Sequence, residues 1–555
     1  ANGKIVLTFD EKVKLTDNAA ATLGTAKIEG TVSGKTITFA YKGLNYATAY
    51  TFTLAAGSVA DLTDNATDQA IVLNFTTKTK PAVTKALYDF IVPTDGDFKA
   101  ALDAAAKRTD TSKRFRIFIK QGDYKIPADE KSKVTGSDGK SYANPTTYMN
   151  TPNVSIIGES MDNTSLTNTI PNSGQSANVL EGIGKGDVLC LQKGATNTYF
   201  QDLKMYSSMG DAKGRDIILN DQSNKTICKN VNLWAYQDTY VSNNQNGKFY
   251  FEDGILRGRT DYLCGKGDVY YNNVELWICE KGGYLAVPSQ PKKYGYIFKD
   301  CTIKDATEAK DLNGNYTLGR PWGKGTPIAL YIDTKMEAIP SAAGWNEMSG
   351  GYPKRFAEYN SYTSTGSIVD LKDRKKVYDA YDSKNGDNYV NRRNETAGDP
   401  ILTAEEAATY TIETVMGQDD DWDPTAATEQ ASAPTNVKLN GTTLAWDNND
   451  YALLWAVCKN GKVVDFTITP SYIVDDASAT WSVRAANEMG GLSEATVVGQ
   501  GTGIHNIASA TDAAVIKTAI YAADGTQLSN LQKGINIIVK TLADGSKKTS
   551  KVIVK

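Results

Sequence analysis

The sequence predicts an all-β protein: a right-handed parallel β-helix flanked by β-sandwich modules. Three observations predict it. A short pattern recurs five times between residues 199 and 303. The segments on either side alternate apolar and polar at period two between turn clusters, as half-buried strands do. An amphipathic helix stands just before the strand-rich middle, where the exposed end of a solenoid needs a cover.

The repeat carries most of the argument. Its copies are Tyr199–Met205, Ile227–Leu233, Tyr250–Leu256, Tyr270–Leu276 and Ile297–Ile303. Each sets two bulky residues, an Asp or Asn two places on, and an apolar residue three further. The Asx positions Asp202, Asn230, Asp253, Asn273 and Asp300 are spaced 28, 23, 20 and 27 residues apart. A fixed local pattern at variable spacing suits stacked rungs joined by loops of differing length, whereas a β-sandwich would need the similarity to be coincidence. Asx residues suit the corner because they tolerate left-handed backbone and bond to neighbouring amides.

Taken in order, residues 1–80 carry alternating segments such as Thr36-Ile37-Thr38-Phe39 and Thr51-Phe52-Thr53-Leu54 and resemble a bacterial immunoglobulin-like sandwich. The β-helix is expected over 81–425. It opens with a helix from Asp97 to Arg108 that places Phe98, Ala101, Leu102 and Ala105 on one face with Asp97 as its cap. Residues 426–432 read as a linker after Asp423-Pro424. Residues 433–503, with Leu444-Ala445-Trp446 and Trp481-Ser482-Val483, resemble a fibronectin type III sandwich, and 504–555 resemble a C-terminal sorting module of Bacteroidetes-type bacteria. That module implies a secreted or cell-envelope protein, in the periplasm or on the outer surface; with Ala1 first and no initiator Met, any signal peptide is expected to have been removed or left out.

Composition narrows the chemistry. At 555 residues the chain exceeds one core, and a net charge of −4 gives no global basic field for nucleic acid. No apolar run is long enough for a membrane span. The six cysteines, at 190, 228, 264, 279, 301 and 458, are too scattered for a disulfide framework and read as buried thiols. The one histidine, His505, lies near the C-terminus, which removes histidine triads and His-ligated metal from the middle of the chain. Hydrolytic chemistry there must run on carboxylates.

Two aspartates are placed for it. Asp238, in Tyr236-Gln237-Asp238-Thr239, and Asp261, in Arg259-Thr260-Asp261-Tyr262-Leu263-Cys264-Gly265, lie 23 residues apart, one turn of the coil. Adjacent strands are about 4.8 Å apart, so the carboxyls come within interaction range and resist ionising together. These two motifs, followed by Leu318-Gly319-Arg320-Pro321-Trp322, resemble the pectin methylesterases, or pectinesterases, over roughly residues 85–424.

The resemblance implies a carboxylic ester hydrolase removing methyl esters from homogalacturonan (pectin), to give pectate and methanol. It makes Asp261 the nucleophile, Asp238 the acid and base, Gln237 an oxyanion donor and Arg320 the group that orients Asp261. Tyr236, Trp322, Trp345 and Arg259 are candidates for substrate binding. No cofactor or metal is implied; the expected partner is the pectin polysaccharide and the expected state a monomer. Arg215 stands where the family usually starts Gln-Ala-Val-Ala-Leu, and Cys264 where it usually has Phe. Arg215 is therefore a candidate second oxyanion or substrate contact. Another pectin-active β-helix enzyme, a lyase or hydrolase, and a non-catalytic glycan-binding surface protein are the competing readings; methanol release separates them.

Overall fold

The structure is a computed structural model that describes all residues except 1–2, 42, 85, 172–178, 210–213, 307–309, 449–451, 500–514, 523–526, 529–533, 543–546 and 555. Its centre is a parallel β-helix of three sheets with ten, nine and seven strands. One rung shows the path. Tyr199–Gln201 lies in the ten-stranded sheet, Lys204–Tyr206 in the nine-stranded sheet and Leu219–Asp221 in the seven-stranded sheet. Thr226–Lys229 then re-enters the first sheet in parallel register beside Tyr199–Gln201.

All five sequence repeats sit at the corner between the ten- and nine-stranded sheets. Asp202, Asn230, Asp253, Asn273 and Asp300 adopt φ between 51° and 56°, the left-handed backbone that Asx tolerates, and Asp333 and Asn360 continue the column. Their side chains tie rung to rung. Asn230 donates to Asp202, Asn273 to Asp253 and Asn360 to Asp333, each at 2.6 Å. Where Asp333 follows Asp300 with no amide between, the Lys299 ammonium bridges both.

The bulky residues of the pattern fill the interior. Phe251, Tyr271, Phe298 and Tyr331 stack from rung to rung with ring centroids 4.3 to 5.2 Å apart. The helix Phe98–Lys107 forms as its sequence predicts. Asp97 caps it by accepting from the Ala100 amide at 2.8 Å, and Phe98, Ala101, Leu102 and Ala105 are buried.

Alternate residues of the ten-stranded sheet point outward, and they are apolar too. Phe118, Ile157, Tyr199, Tyr250 and Ile297 share one core with Leu453, Leu454, Ala456 and Phe466 from the downstream sandwich and with Val415 and Met416. Residues 433–503 thus pack against the β-helix, and the segment 426–432, expected as a linker, runs along that seam. Thr425–Thr428 is a short helix; the Thr428 hydroxyl donates to Glu252, and Gln430 exchanges hydrogen bonds with Gln201. The physical reason is that a parallel sheet has two apolar faces. The sandwich supplies the second cover, each large side chain so buried contributing about 1.5–3 kcal/mol. Arg484 donates to the Glu159 carbonyl and Glu159 accepts from the Val463 amide, stitching the seam with polar bonds.

The sandwich itself has sheets of three and four strands around Trp446, Trp455 and Trp481. The N-terminal module is a set of antiparallel strands packed on Ile37, Phe39, Phe52 and Leu54. Gln500–Lys555 is a separate unit whose described strands, Val515–Ala522, Gln527–Leu528, Gly534–Leu542 and Lys547–Val554, pair as an antiparallel sheet; His505 lies outside the described residues. Among the described residues the six cysteines are free and buried, as expected, and no helix is long and apolar enough to cross a membrane.

Candidate active site

The catalytic candidates stand where the nine-stranded sheet turns into the seven-stranded one. Parallel bridges pair Arg215 with Gln237 and Gln237 with Thr260, so three consecutive rungs are in register there. The next residue on each rung is an aspartate: Asp216, Asp238 and Asp261. Asp238 and Asp261 both take left-handed backbone, with φ of 58° and 51°. It is the conformation that the corner column also adopts, and one that aspartate tolerates.

The two carboxyls are equally buried, each residue 6 % exposed, but their partners differ. Arg320 grips Asp261 with both arms, Nε to Oδ1 at 3.0 Å and Nη2 to Oδ2 at 2.6 Å. This fork geometry pairs both carboxylate oxygens with one guanidinium. The Arg320 guanidinium lies over the Tyr284 ring at 3.9 Å, so its own position is fixed. Asp238 has no such clamp. Burial, then the neighbouring Asp261 charge, push it up to about 7, against a smaller downward pull from Arg215 and Arg320. One carboxyl is thus clamped by a guanidinium and its neighbour able to hold a proton near neutral pH.

Both face a pocket of about 120 Å³ that is also lined by Arg215, Gln237, Ile183, Cys264, Val287, Trp322 and Met348. Arg215 is half exposed, with its Nε 3.5 Å from Asp238 Oδ2. Trp322 is 40 % exposed and offers a ring face at the rim. Val287 and Cys264, in register on adjacent strands, make an apolar wall. The geometry brings together Asp238, Asp261, Gln237, Arg320, Arg215 and Trp322.

Three expected substrate contacts are elsewhere. Trp345 is 1 % exposed and packs between Tyr331 and Phe356 in the helix interior, so it cannot stack on a sugar. Tyr236 is buried beside Cys279 and gives its hydroxyl to Glu280 at 2.7 Å. Arg259 donates to the Lys281 carbonyl and the Thr260 hydroxyl and does not line the pocket. The aromatics were expected there for their ring faces and Arg259 for its charge; all three lie between strands, and the local backbone directs their side chains elsewhere. Sequence reasoning missed Asp216, Tyr284, Ile183, Val287 and Met348. Counting one rung back from Asp238 would have found Asp216, 22 residues earlier.

Comparison with known proteins bears on the family of the chain. A family model described as pectinesterase matches residues 89–394, and one described as a bacterial Ig-like domain matches residues 1–77. A pectinesterase/pectinesterase inhibitor, U1, of Solanum lycopersicum is 23 % identical over 301 residues, covering 52 % of this chain and 47 % of its own length. A probable pectinesterase A of Aspergillus oryzae (strain ATCC 42149 / RIB 40) is 29 % identical over 165 residues, covering 28 % of this chain and 48 % of its own. The chain thus spans about half the length of the curated relatives it matches. Among solved structures, pectin methylesterase PemA from Erwinia chrysanthemi aligns at 20 % identity and TM-score 0.43, over 62 % of this chain and 99 % of that one. The pectin methylesterase from carrot aligns at 18 % and 0.46, over 64 % and 99 %. Since the family match covers more than half of its 555 residues, the chain belongs to the pectinesterase family.

Proposed function

We propose that this chain is a pectin methylesterase acting on methylated homogalacturonan as a secreted or cell-envelope enzyme. The observation that carries the reading is the asymmetric carboxyl pair: Asp261 held by Arg320, beside Asp238 raised to about 7.

The reaction follows from that asymmetry. An Asp261 oxygen attacks the ester carbonyl, and the C=O electron pair moves onto oxygen. Gln237 and Arg215, facing the same pocket, donate to that oxyanion. Collapse breaks the bond to methoxide, which takes the Asp238 proton and leaves as methanol. The galacturonyl group is then an anhydride on Asp261. Asp238, now a carboxylate, takes a proton from water as that water attacks the anhydride. The acid product leaves, Asp261 is again ionised and Asp238 again protonated. The apolar wall of Val287, Cys264, Met348 and Ile183 suits the ester methyl, and Trp322 the ring of a sugar. The test is methanol release from methylated homogalacturonan by the purified chain. Absence of methanol from folded protein overturns the reading; unsaturated oligosaccharides in its place identify a lyase.

A further inference from the structure

Asp216 has no part in the reaction as written, yet it is more buried than either reacting carboxyl, at 2 % exposed. Its contacts converge on Gln237. The Asp216 backbone N–H donates to the Gln237 carbonyl at 3.2 Å, while its Oδ1 accepts from the Gln237 and Tyr236 amides at 3.3 Å each. One residue therefore holds both peptide groups that flank Gln237. Those peptides lead directly into the left-handed backbone of Asp238, which persists only where its surroundings fix it. The Asp216 Oδ2 is buried without a hydrogen-bond partner among the described residues.

We propose that Asp216 is a positioning residue: a neutral carboxyl that accepts the Tyr236 and Gln237 amides and so holds the oxyanion donor and Asp238 in their working geometry. The charge state has a physical basis. Burial, foremost, and the Asp238 charge push Asp216 up to about 8, against hydrogen bonds from Gln237, Tyr236 and Ser207. The charged group that acts on it is Asp238 on the next rung. It keeps its proton through the range in which Asp238 must hold one. No third anion then sits under the reacting pair.

The inference rests on the esterase reading, and the test separates the two. Methanol release is measured for the full chain and for Asp216→Ala and Asp216→Asn, with circular dichroism to check folding. Asp216→Ala is expected to lower kcat by about 10- to 100-fold, since displaced reacting groups cost that much, with KM within about twofold. Asp216→Asn, which keeps a neutral acceptor, is expected to restore kcat to within about threefold of the parent. An alanine variant with parental kcat, a rise in KM alone, or an asparagine variant as slow as alanine overturns the proposal. Should Asp216→Ala not fold, Asp216→Asn decides by the same threshold: about threefold or less supports it, and a larger loss overturns it. If the parent itself releases no methanol, it is the esterase reading that falls.

Discussion

Two columns of aspartates run along this β-helix, and they use one backbone conformation for opposite ends. At the corner, Asp202, Asp253 and Asp333 are each answered by an asparagine on the next rung, and Lys299 spans the one place where two aspartates meet. In the cleft, Asp261 follows Asp238 with no amide between them and arginines only at the flanks. The consequence is visible in proton affinity. Burial pushes Asp333 up, but the Lys299 and Asn360 hydrogen bonds outweigh it and leave it below its ordinary value. Asp238, with burial and a like charge together, rises to about 7. Left-handed aspartate is thus the common currency of the scaffold, and the neighbour one rung away decides whether it is a strut or an acid.

The sharpest way to break the comparison is to neutralise the cleft column. Asp261→Asn and Asp238→Asn should each lower methanol release by about 10³-fold or more, with the strand signal in circular dichroism unchanged. Substantial turnover in either folded variant would remove both from the reaction. Next in size is Arg215. Arg215→Ala should lose about 10²- to 10³-fold, the usual loss for an oxyanion donor. Arg215→Gln should keep much of the rate, and its pH profile carries a signed expectation. The reaction needs Asp238 protonated, so activity is lost as pH rises through about 7. Removing a positive charge that lowers Asp238 should move that alkaline limb upward. An unmoved limb would show that Arg215 does not act on Asp238.

A smaller effect should follow from making the corner resemble the cleft. Asn230→Asp replaces an amide that donates to Asp202 at 2.6 Å with a second carboxylate. Thermal unfolding should show a loss of roughly 1–3 kcal/mol, greater at neutral pH than in acid, with kcat unchanged. The smallest concerns Asp216. Its folded pKa of about 8 lies above the ordinary 3.8, so the folded state keeps a proton that the unfolded chain releases. The parent therefore loses stability as pH climbs through that window. Asp216→Asn should gain Tm relative to the parent on the alkaline side and none in acid; an equal Tm difference at every pH would contradict the raised pKa.

The corner column was legible because its chemistry is local. Two bulky residues and an Asx announce a turn by themselves, and six of the seven left-handed corners fit that pattern, the five named from sequence and Asp333 after Leu330 and Tyr331. Asn360 escaped because its rung replaces the bulky pair with Ala357 and Glu358, the latter buried in an ion pair with Arg374. The cleft was legible only through the motifs around Asp238, Asp261 and Arg320. What it missed depended on direction: Trp345 shares a motif with the site and points into the core, while Met348, three residues on, lines the pocket. The sandwich against the ten-stranded sheet escaped for the same reason. Outward apolar residues such as Phe118 and Tyr199 sit within runs that look like ordinary buried strand, and nothing local says which distant segment covers them.

Register gives the site an address that is independent of distance along the chain. Successive corner residues are separated by as few as 20 positions and as many as 33, between Asn273 and Asp253 and between Asp333 and Asp300, yet each lands one rung further on. Loop length and active-site geometry are therefore two separate dials. An insertion in the loops that carry Ile183, Trp322 or Met348 lengthens the rim of the cleft without moving Asp238 against Asp261. A single residue inserted into Thr260–Gly265 would turn every side chain of that strand to the opposite face. Lineages that reshape the loops can change which polymer fits the groove while inheriting the same pair of carboxyls.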